Sequence, residues 1–291
     1  MVSSGEAFSQ VRDRTPRLPS SDLAAVVDDY FLTTDVRPWN RFTTFEWDKI
    51  QADKLTKDQR SAVSFVTYIE DHLPGYFGAY HQIFPLREDV EIDEFVHNRE
   101  VYRFGVRWAQ EEDAHAHVLQ TYQLRAGMAE PDQLRHDLAV EGRKEFTLLK
   151  QLQPVQFFTY TLVQEKATQL YYQHLSQVIE EPILKQILQI LTRDEARHFA
   201  FFSRVIEAYI KSFGAAVFPL LKDTLAQFKM PLATTLKNYW RWSIRISEVA
   251  NNYNYLDAYE SLILTIKRAA DASTWSKAQD LRDFVAAVCR A

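Results

Sequence analysis

Glycine and proline are scarce in this chain: seven and ten of 291 residues, about half the ~12% share usual in globular proteins. All-β sandwiches and nucleotide-binding α/β folds consume more turn glycine than this, so the shortage points to long helices. Cysteine is nearly absent. With Cys289 alone, no intrachain disulfide can form, and a cysteine-held zinc or iron–sulfur site is excluded. A basic excess is also missing: 34 Lys and Arg stand against 39 Asp and Glu, for a formal net charge of -5. Broad nucleic-acid binding needs the opposite balance. No run of 18 apolar residues occurs, so no membrane-spanning helix is expected. Met1 to Ser21 lacks an apolar stretch and carries Glu6 and Asp13, unlike a secretory or transit peptide. The expectation is a cytoplasmic protein.

What is present is apolar and periodic. Hydrophobic residues make up 46% of the chain, and its length allows a sizeable core. Residues 1–19 are polar and read as a loose arm, followed by a single helical domain over 20–291. Ser20 and Ser21 should cap a short helix reaching about Thr33. A connector with Pro38, Trp39 and Trp47 leads to four long periodic segments, which form a metal-binding core over about 57–213. The first, Lys57 to Phe84, spaces Val63, Val66, Ile69 and Leu73 by three or four, and Pro74 should kink or break it. The second, Glu91 to Arg125, carries Phe104, Trp108, Val118 and Tyr122 and stops before Gly127. A shorter piece, Pro131 to Leu149, precedes the third, Pro154 to Ile179. The fourth runs from Pro182 to Phe213. Further helices are expected near 215–228, 232–250, 254–272 and 276–289.

Each long segment places an acid or a histidine among these apolar residues. Glu112 and His115 form Glu-x-x-His, just under one turn apart and so on one face. Glu195 and His198 repeat the pattern between Leu191 and Phe202. Glu70 sits among Val63, Val66 and Leu73, and Glu165 lies between Leu162, Thr168 and Tyr172. A single Glu-x-x-His is weak evidence, because both residues are ordinary on helix surfaces. Four glutamates and two histidines facing one core are different. Burying uncompensated carboxylates is costly, and two divalent cations would neutralise them. One Glu from each of two helices and one Glu-x-x-His from each of two others is the ligand set of ferritin-like di-iron bundles. The expected fold is therefore all-α: a ferritin-like four-helix bundle with peripheral and C-terminal helices.

The chain resembles a family, the soluble acyl-carrier-protein desaturases of plants and actinobacteria. Glu70–Tyr76 (EDHLPGY) is similar to that family's Glu-x-x-Leu-Pro-x-Tyr. Trp108–His115 (WAQEEDAH) matches its Trp-x-x-x-Glu-x-x-His. Gln164–Thr168 (QEKAT) resembles Gln-Glu-Arg-Ala-Thr, and Arg193–His198 (RDEARH) resembles Asp-Glu-x-Arg-His. Ile179–Leu184 (IEEPIL) is like the stretch just before the last motif in bacterial members. The likeness spans about residues 60–210.

The resemblance implies six metal ligands: Glu70, Glu112, His115, Glu165, Glu195 and His198. They would hold two irons, with manganese a possible substitute and O2 the co-substrate. It also implies that Thr168 faces the oxygen-binding side and can deliver a proton, although a helical threonine also bonds its own helix carbonyl. Asp194 would accept a hydrogen bond from the ligand His115. Trp39, rather than Trp47, could join an electron path, with core packing the better reading. The plant pattern has Arg immediately before the first ligand histidine, whereas this chain has Ala114. His72, His117 and His174 read as surface or packing residues. Leu73, Trp108, Tyr172, Phe199 and Phe202 lie within about a turn of ligands and could line an acyl channel.

By the same resemblance the expected activity is O2-dependent desaturation of a fatty acyl chain. The expected partners are an acyl carrier protein, a ferredoxin-type electron donor and a second copy of the chain. The ligands alone do not separate desaturation from hydroxylation, N-oxygenation or oxidative cleavage. A ribonucleotide-reductase radical subunit is disfavoured. Its tyrosine stands four residues after the first ligand histidine, where this chain has Leu119. An iron-storage bundle is disfavoured by length.

Overall fold

The computed structural model describes residues 17–34, 36, 38–144, 152–251 and 253–290; most of the expected N-terminal arm and the end of the 131–149 segment lie outside them. Among the described residues all regular structure is helical. Helix α1 is Ser20–Thr34, α2 Lys57–Asp71, α3 Leu73–Ile83, α4 Ile92–Arg125, α5 Pro131–Gly142, α6 Pro154–Val178 and α7 Pro182–Phe213. The C-terminal part holds α8 Phe218–Gln227, α9 Tyr239–Val249, α10 Asp257–Ala269, α11 Ala272–Lys277 and α12 Gln279–Val288.

The ends of the long helices follow from local chemistry. Helix α2 opens with a reciprocal cap: Gln59 N donates to Thr56 Oγ1 at 3.1 Å, and Thr56 N donates to Gln59 Oε1 at 3.0 Å, satisfying two otherwise orphaned amides. The break expected at Pro74 falls two residues earlier, at His72. Proline's ring clashes with the turn before it, so it fits the first turn of the next helix instead. Helix α4 ends at Gly127, whose φ of +61° is the left-handed conformation that closes helices and suits a residue without Cβ. Helix α7 starts on the buried carboxylate of Glu181. That group accepts Leu184 N at 2.7 Å, Tyr122 Oη at 2.9 Å and Gln51 N at 3.0 Å. An anion is favoured at the positive end of a helix, and here it also fixes the register of α7 against α4.

The C-terminal helices differ more from expectation. The 232–250 segment is helical only from Tyr239, because Leu232 and Asn238 adopt positive φ. The 276–289 segment starts earlier and divides at Ala278 into α11 and α12.

Helices α2, α4, α6 and α7 form the central bundle, with α6 and α7 packed together along most of their length. Helix α6 is buried nearly all round between Pro154 and Ala167, as expected of a central helix rather than an amphipathic surface one. The core divides into two apolar clusters. One joins α1, α3 and the C-terminal helices to Phe104 and Trp108 of α4, Leu162 of α6 and Phe202 of α7. The other joins α9 to Val66 of α2, Leu119 of α4, Tyr172 of α6 and Leu191 of α7. Along α4 and α7, the Glu and His residues of interest lie between these clusters. The bundle thus has a polar waist within an apolar body.

Candidate metal centre

The waist is built from the six nominated ligands. All are buried. Glu112 and His115 come from α4, Glu195 and His198 from α7, Glu165 from α6, and Glu70 from the last turn of α2. Nothing local favours Glu70 there, since a carboxylate in a helix's last turn meets the negative end of its dipole. The ligand atoms converge into two groups, each with all its atoms within 4.8 Å of one another. One is Glu70, Glu112, His115 and Glu195; the other is Glu112, Glu165, Glu195 and His198. Glu112 and Glu195 belong to both, so each pair's carboxylate stands between two centres.

Distances place both imidazoles the same way. His115 Nδ1 lies 3.3 Å from Glu195, 3.7 Å from Glu112 and 3.8 Å from Glu70. His198 Nδ1 lies 3.0 Å from Glu112, 3.4 Å from Glu165 and 3.5 Å from Glu195. The ring centroids are 6.0 Å apart.

These groups fit metal ions. Both Nδ1 atoms and one oxygen each of Glu112, Glu165 and Glu195 are buried without a hydrogen-bond partner. Buried polar atoms left so are costly, and these five point into one small volume. Mixed imidazole and carboxylate donors, with no thiolate among them, suit iron or manganese.

The outer nitrogen of each histidine meets an acid. His115 Nε2 lies 3.4 Å from Asp194 Oδ2, and His198 Nε2 lies 2.9 Å from Glu111 Oε2. The arrangement is crossed: the acid just before Glu195 holds the α4 histidine, and the acid just before Glu112 holds the α7 histidine. Such partners fix the ring orientation and raise the basicity of a metal-ligating histidine. Sequence reasoning found Asp194 and missed Glu111. The signal was available, because both motifs carry an acid immediately before the ligand glutamate.

Both outer acids are held in turn by donors. Asp194 accepts Trp39 Nε1 at 2.6 Å and Arg197 Nη1 at 2.6 Å. Trp39 also stacks on His115, with centroids 6.3 Å apart and planes within 11°, so it does more than fill the core. Trp47 packs on Phe45. Glu111 accepts Tyr30 Oη at 2.6 Å and Arg107 Nε at 3.0 Å.

Electrostatics follow from this crowding. Burial pushes Glu70 up to about 8, helped by the neighbouring Glu112 carboxylate, and raises Glu165 likewise. Burial also opposes charge on Glu112, but the adjoining His115 and His198 imidazoles outweigh it and lower its pKa. In the same way Glu111 is brought down to about 2 against its burial, first by His198, and Asp194 falls well below an ordinary aspartate, first through His115. Burial works against protonation of His115 and His198, yet their carboxylate partners raise both.

A cavity of about 470 Å³ opens beside the waist, walled by α2, α6 and α9. Tyr172 lines it and hydrogen-bonds the Glu70 carboxylate through its hydroxyl. Thr168 also lines it, one turn from Glu165, and donates to Gln164 O at 3.1 Å. Of the five nominated channel residues, Tyr172 alone is among its lining. Trp108 stacks on Tyr80, and Phe202 sits edge-on to Phe104 and Phe201. Phe199 lies under the Lys166 ammonium, and Leu73 packs on the first apolar cluster. Those four follow helix faces turned away from the cavity, whose far wall comes from α9. None of His72, His117 and His174 belongs to either ligand group. His72 is buried at the α2–α3 break, His117 meets Phe42, and His174 lies 3.2 Å from Ala250 O.

Comparison with known proteins bears on the family and the fold. A family model described as fatty acid desaturase matches residues 20–290. A Mycobacterium tuberculosis protein named "Putative acyl-[acyl-carrier-protein] desaturase DesA2" is 25% identical over 185 residues, which span 62% of this chain and 62% of that protein. The X-ray structure of DesA2 from strain H37Rv superposes with a TM-score of 0.62 at 16% identity, covering 91% of this chain and 98% of the other. At that identity the likeness concerns the fold.

Proposed function

The chain belongs to the fatty acid desaturase family, and from that premise we propose that it is a di-iron oxidoreductase that introduces a double bond into a carrier-bound fatty acyl chain. The observation that carries this reading is the pair of ligand groups sharing Glu112 and Glu195 beside an apolar-walled cavity. Glu70, Glu112, His115, Glu165, Glu195 and His198 would hold the metals. Bound there, iron supplies the O2-dependent redox chemistry that side-chain acids and bases lack, removing hydrogen from unactivated carbon.

The protein's own residues do the rest. Asp194 and Glu111 orient the two histidines. Tyr172 holds Glu70 by its hydroxyl and forms part of the cavity wall. Thr168 lines the cavity one turn from Glu165, and its hydroxyl can pass a proton toward the reacting side when it turns away from Gln164 O. The cavity positions the acyl chain and excludes bulk water. An acyl carrier protein, a ferredoxin-type electron donor and a homodimeric assembly complete the proposal.

Incubating the iron-loaded, reduced protein with carrier-linked saturated acyl chains and O2, followed by mass spectrometry, tests the reaction. A product two hydrogens lighter is expected. Oxygen incorporation without a new double bond would assign hydroxylation or another oxidation instead.

A further inference from the structure

The chain is acidic overall, yet one stretch is not. Between Asp223 and Glu248 there is no acidic residue, while Lys229, Lys237, Arg241 and Arg245 supply four cations. Three of them border α9. Arg241 and Arg245 are one turn apart on its surface, and Lys237 immediately precedes its first turn; all three are exposed. Beside them stand Trp240 and Ile244, also one turn apart, 60% and 52% exposed. Two large apolar side chains side by side and set among cations offer a partner both an apolar and an electrostatic contact.

The position of this patch is what gives it meaning. Ile244 lines the cavity and is exposed as well, as are Glu248 and Asn254 on the same rim. The cavity therefore opens beside the patch and runs inward to Tyr172, whose hydroxyl bonds the ligand Glu70. Other charges at the rim are few. Arg245 Nε lies 3.4 Å from Asp58 Oδ1, and Arg241 sits 5.1 Å over the Trp240 ring. Glu248 is the acid at the mouth itself. Lys237 and Arg241 have no ion pair among the described residues.

We propose that the outer face of α9, comprising Lys237, Trp240, Arg241, Ile244 and Arg245, is the docking surface for an acidic carrier protein that threads its acyl chain through the adjacent mouth. This rests on the carrier-bound reading of the substrate given above. The cations steer an anionic partner, Trp240 and Ile244 supply the apolar contact, and the mouth is close enough for a flexible thioester arm to enter. An electron donor gains little here, because the cavity rather than packed protein separates α9 from the ligands.

The test is binding of a palmitoyl-loaded acyl carrier protein, followed by surface plasmon resonance at about 50 mM and about 300 mM salt, where screening differs strongly. In Lys237→Glu/Arg241→Glu the association rate at low salt should fall at least roughly tenfold, and the salt dependence should shrink, as for charges at an interface rim. Iron content and turnover of a free pantetheine thioester should stay at the wild-type level. Trp240→Ala should instead speed dissociation. Double-variant binding within about twofold of wild type would overturn the docking surface while leaving the desaturase reading intact. So would loss of ferredoxin-driven reduction with carrier binding unchanged. A wild-type protein that neither binds nor turns over carrier-linked chains would overturn both.

Discussion

Glu111→Gln is an informative perturbation, because Glu111 meets the centre directly at His198 and reaches the other histidine only at a distance, through Arg197 and Asp194. Its carboxylate accepts Tyr30 Oη at 2.6 Å and lies 2.9 Å from His198 Nε2. Glutamine keeps the shape and removes the charge. Losing such a partner typically costs 10–100-fold in metal affinity, about 1.4–2.7 kcal/mol. The cost should fall mainly on the group containing His198, because Asp194 holds His115 and keeps its own donors Trp39 and Arg197 in the variant. Competitive titration of the metal-free protein against a chromophoric chelator resolves the two binding steps. One step should weaken 10–100-fold and the other should hold. Asp113→Asn, which alters an exposed acid paired with Arg41, should leave both unchanged. Affinities within about twofold of wild type, or equal losses at both steps, would refute the crossed pairing.

Three further outcomes are expected. In the metal-free chain burial holds Glu70 near 8, and the upward shifts of Glu165, His115 and His198 likewise favour bound protons. Metal must displace them, so calorimetry in buffers of different ionisation enthalpy should register proton release, and affinity should rise with pH. The same signs act on folding: raised acids and raised histidines both lose their stabilising protonation as pH climbs. The metal-free protein should therefore melt lower at about pH 9 than at about pH 6; a flat or opposite trend would contradict these shifts. Thr168→Val should retain iron but divert reducing equivalents to hydrogen peroxide, measured as peroxide formed per product. Unchanged coupling would remove Thr168 from proton delivery. Phe104→Ala should cost about 3–5 kcal/mol in chemical denaturation, since its buried ring stacks on Phe201 at 3.6 Å and braces Tyr30. A loss below about 1 kcal/mol would mean that this contact contributes little.

The site was more legible in the sequence than its surroundings. Ligand spacing is set by one helix at a time, and Glu-x-x-His needs only 3.6 residues per turn to put both side chains on one face. Two helices meet that demand and two others each add a glutamate, and the six side chains gather into two groups in the structure. Helix ends governed by local chemistry, such as Pro182 and Gly127, were also readable. The cavity beside the site was not. Its far wall is α9, which packs on α2 from more than 150 residues away, and no periodicity within α2, α6 or α7 reveals which face another helix will cover. Trp108 and Phe202, expected near a channel, pack among aromatic rings and do not line this cavity. Glu111 escaped for a related reason: its partner lies on a different helix, and only the repetition of an acid before each ligand glutamate hinted at it.

The claim on which everything else rests is that six side chains from α2, α4, α6 and α7 hold two metal ions through shared glutamates. Iron per chain, measured on freshly purified protein and on Glu112→Ala, addresses it directly. The expected result is about two irons per wild-type chain, as in di-iron carboxylate bundles, and almost none in the variant, because Glu112 serves both groups. Wild-type protein without iron or manganese, or a Glu112→Ala chain that keeps its full complement, would contradict the account.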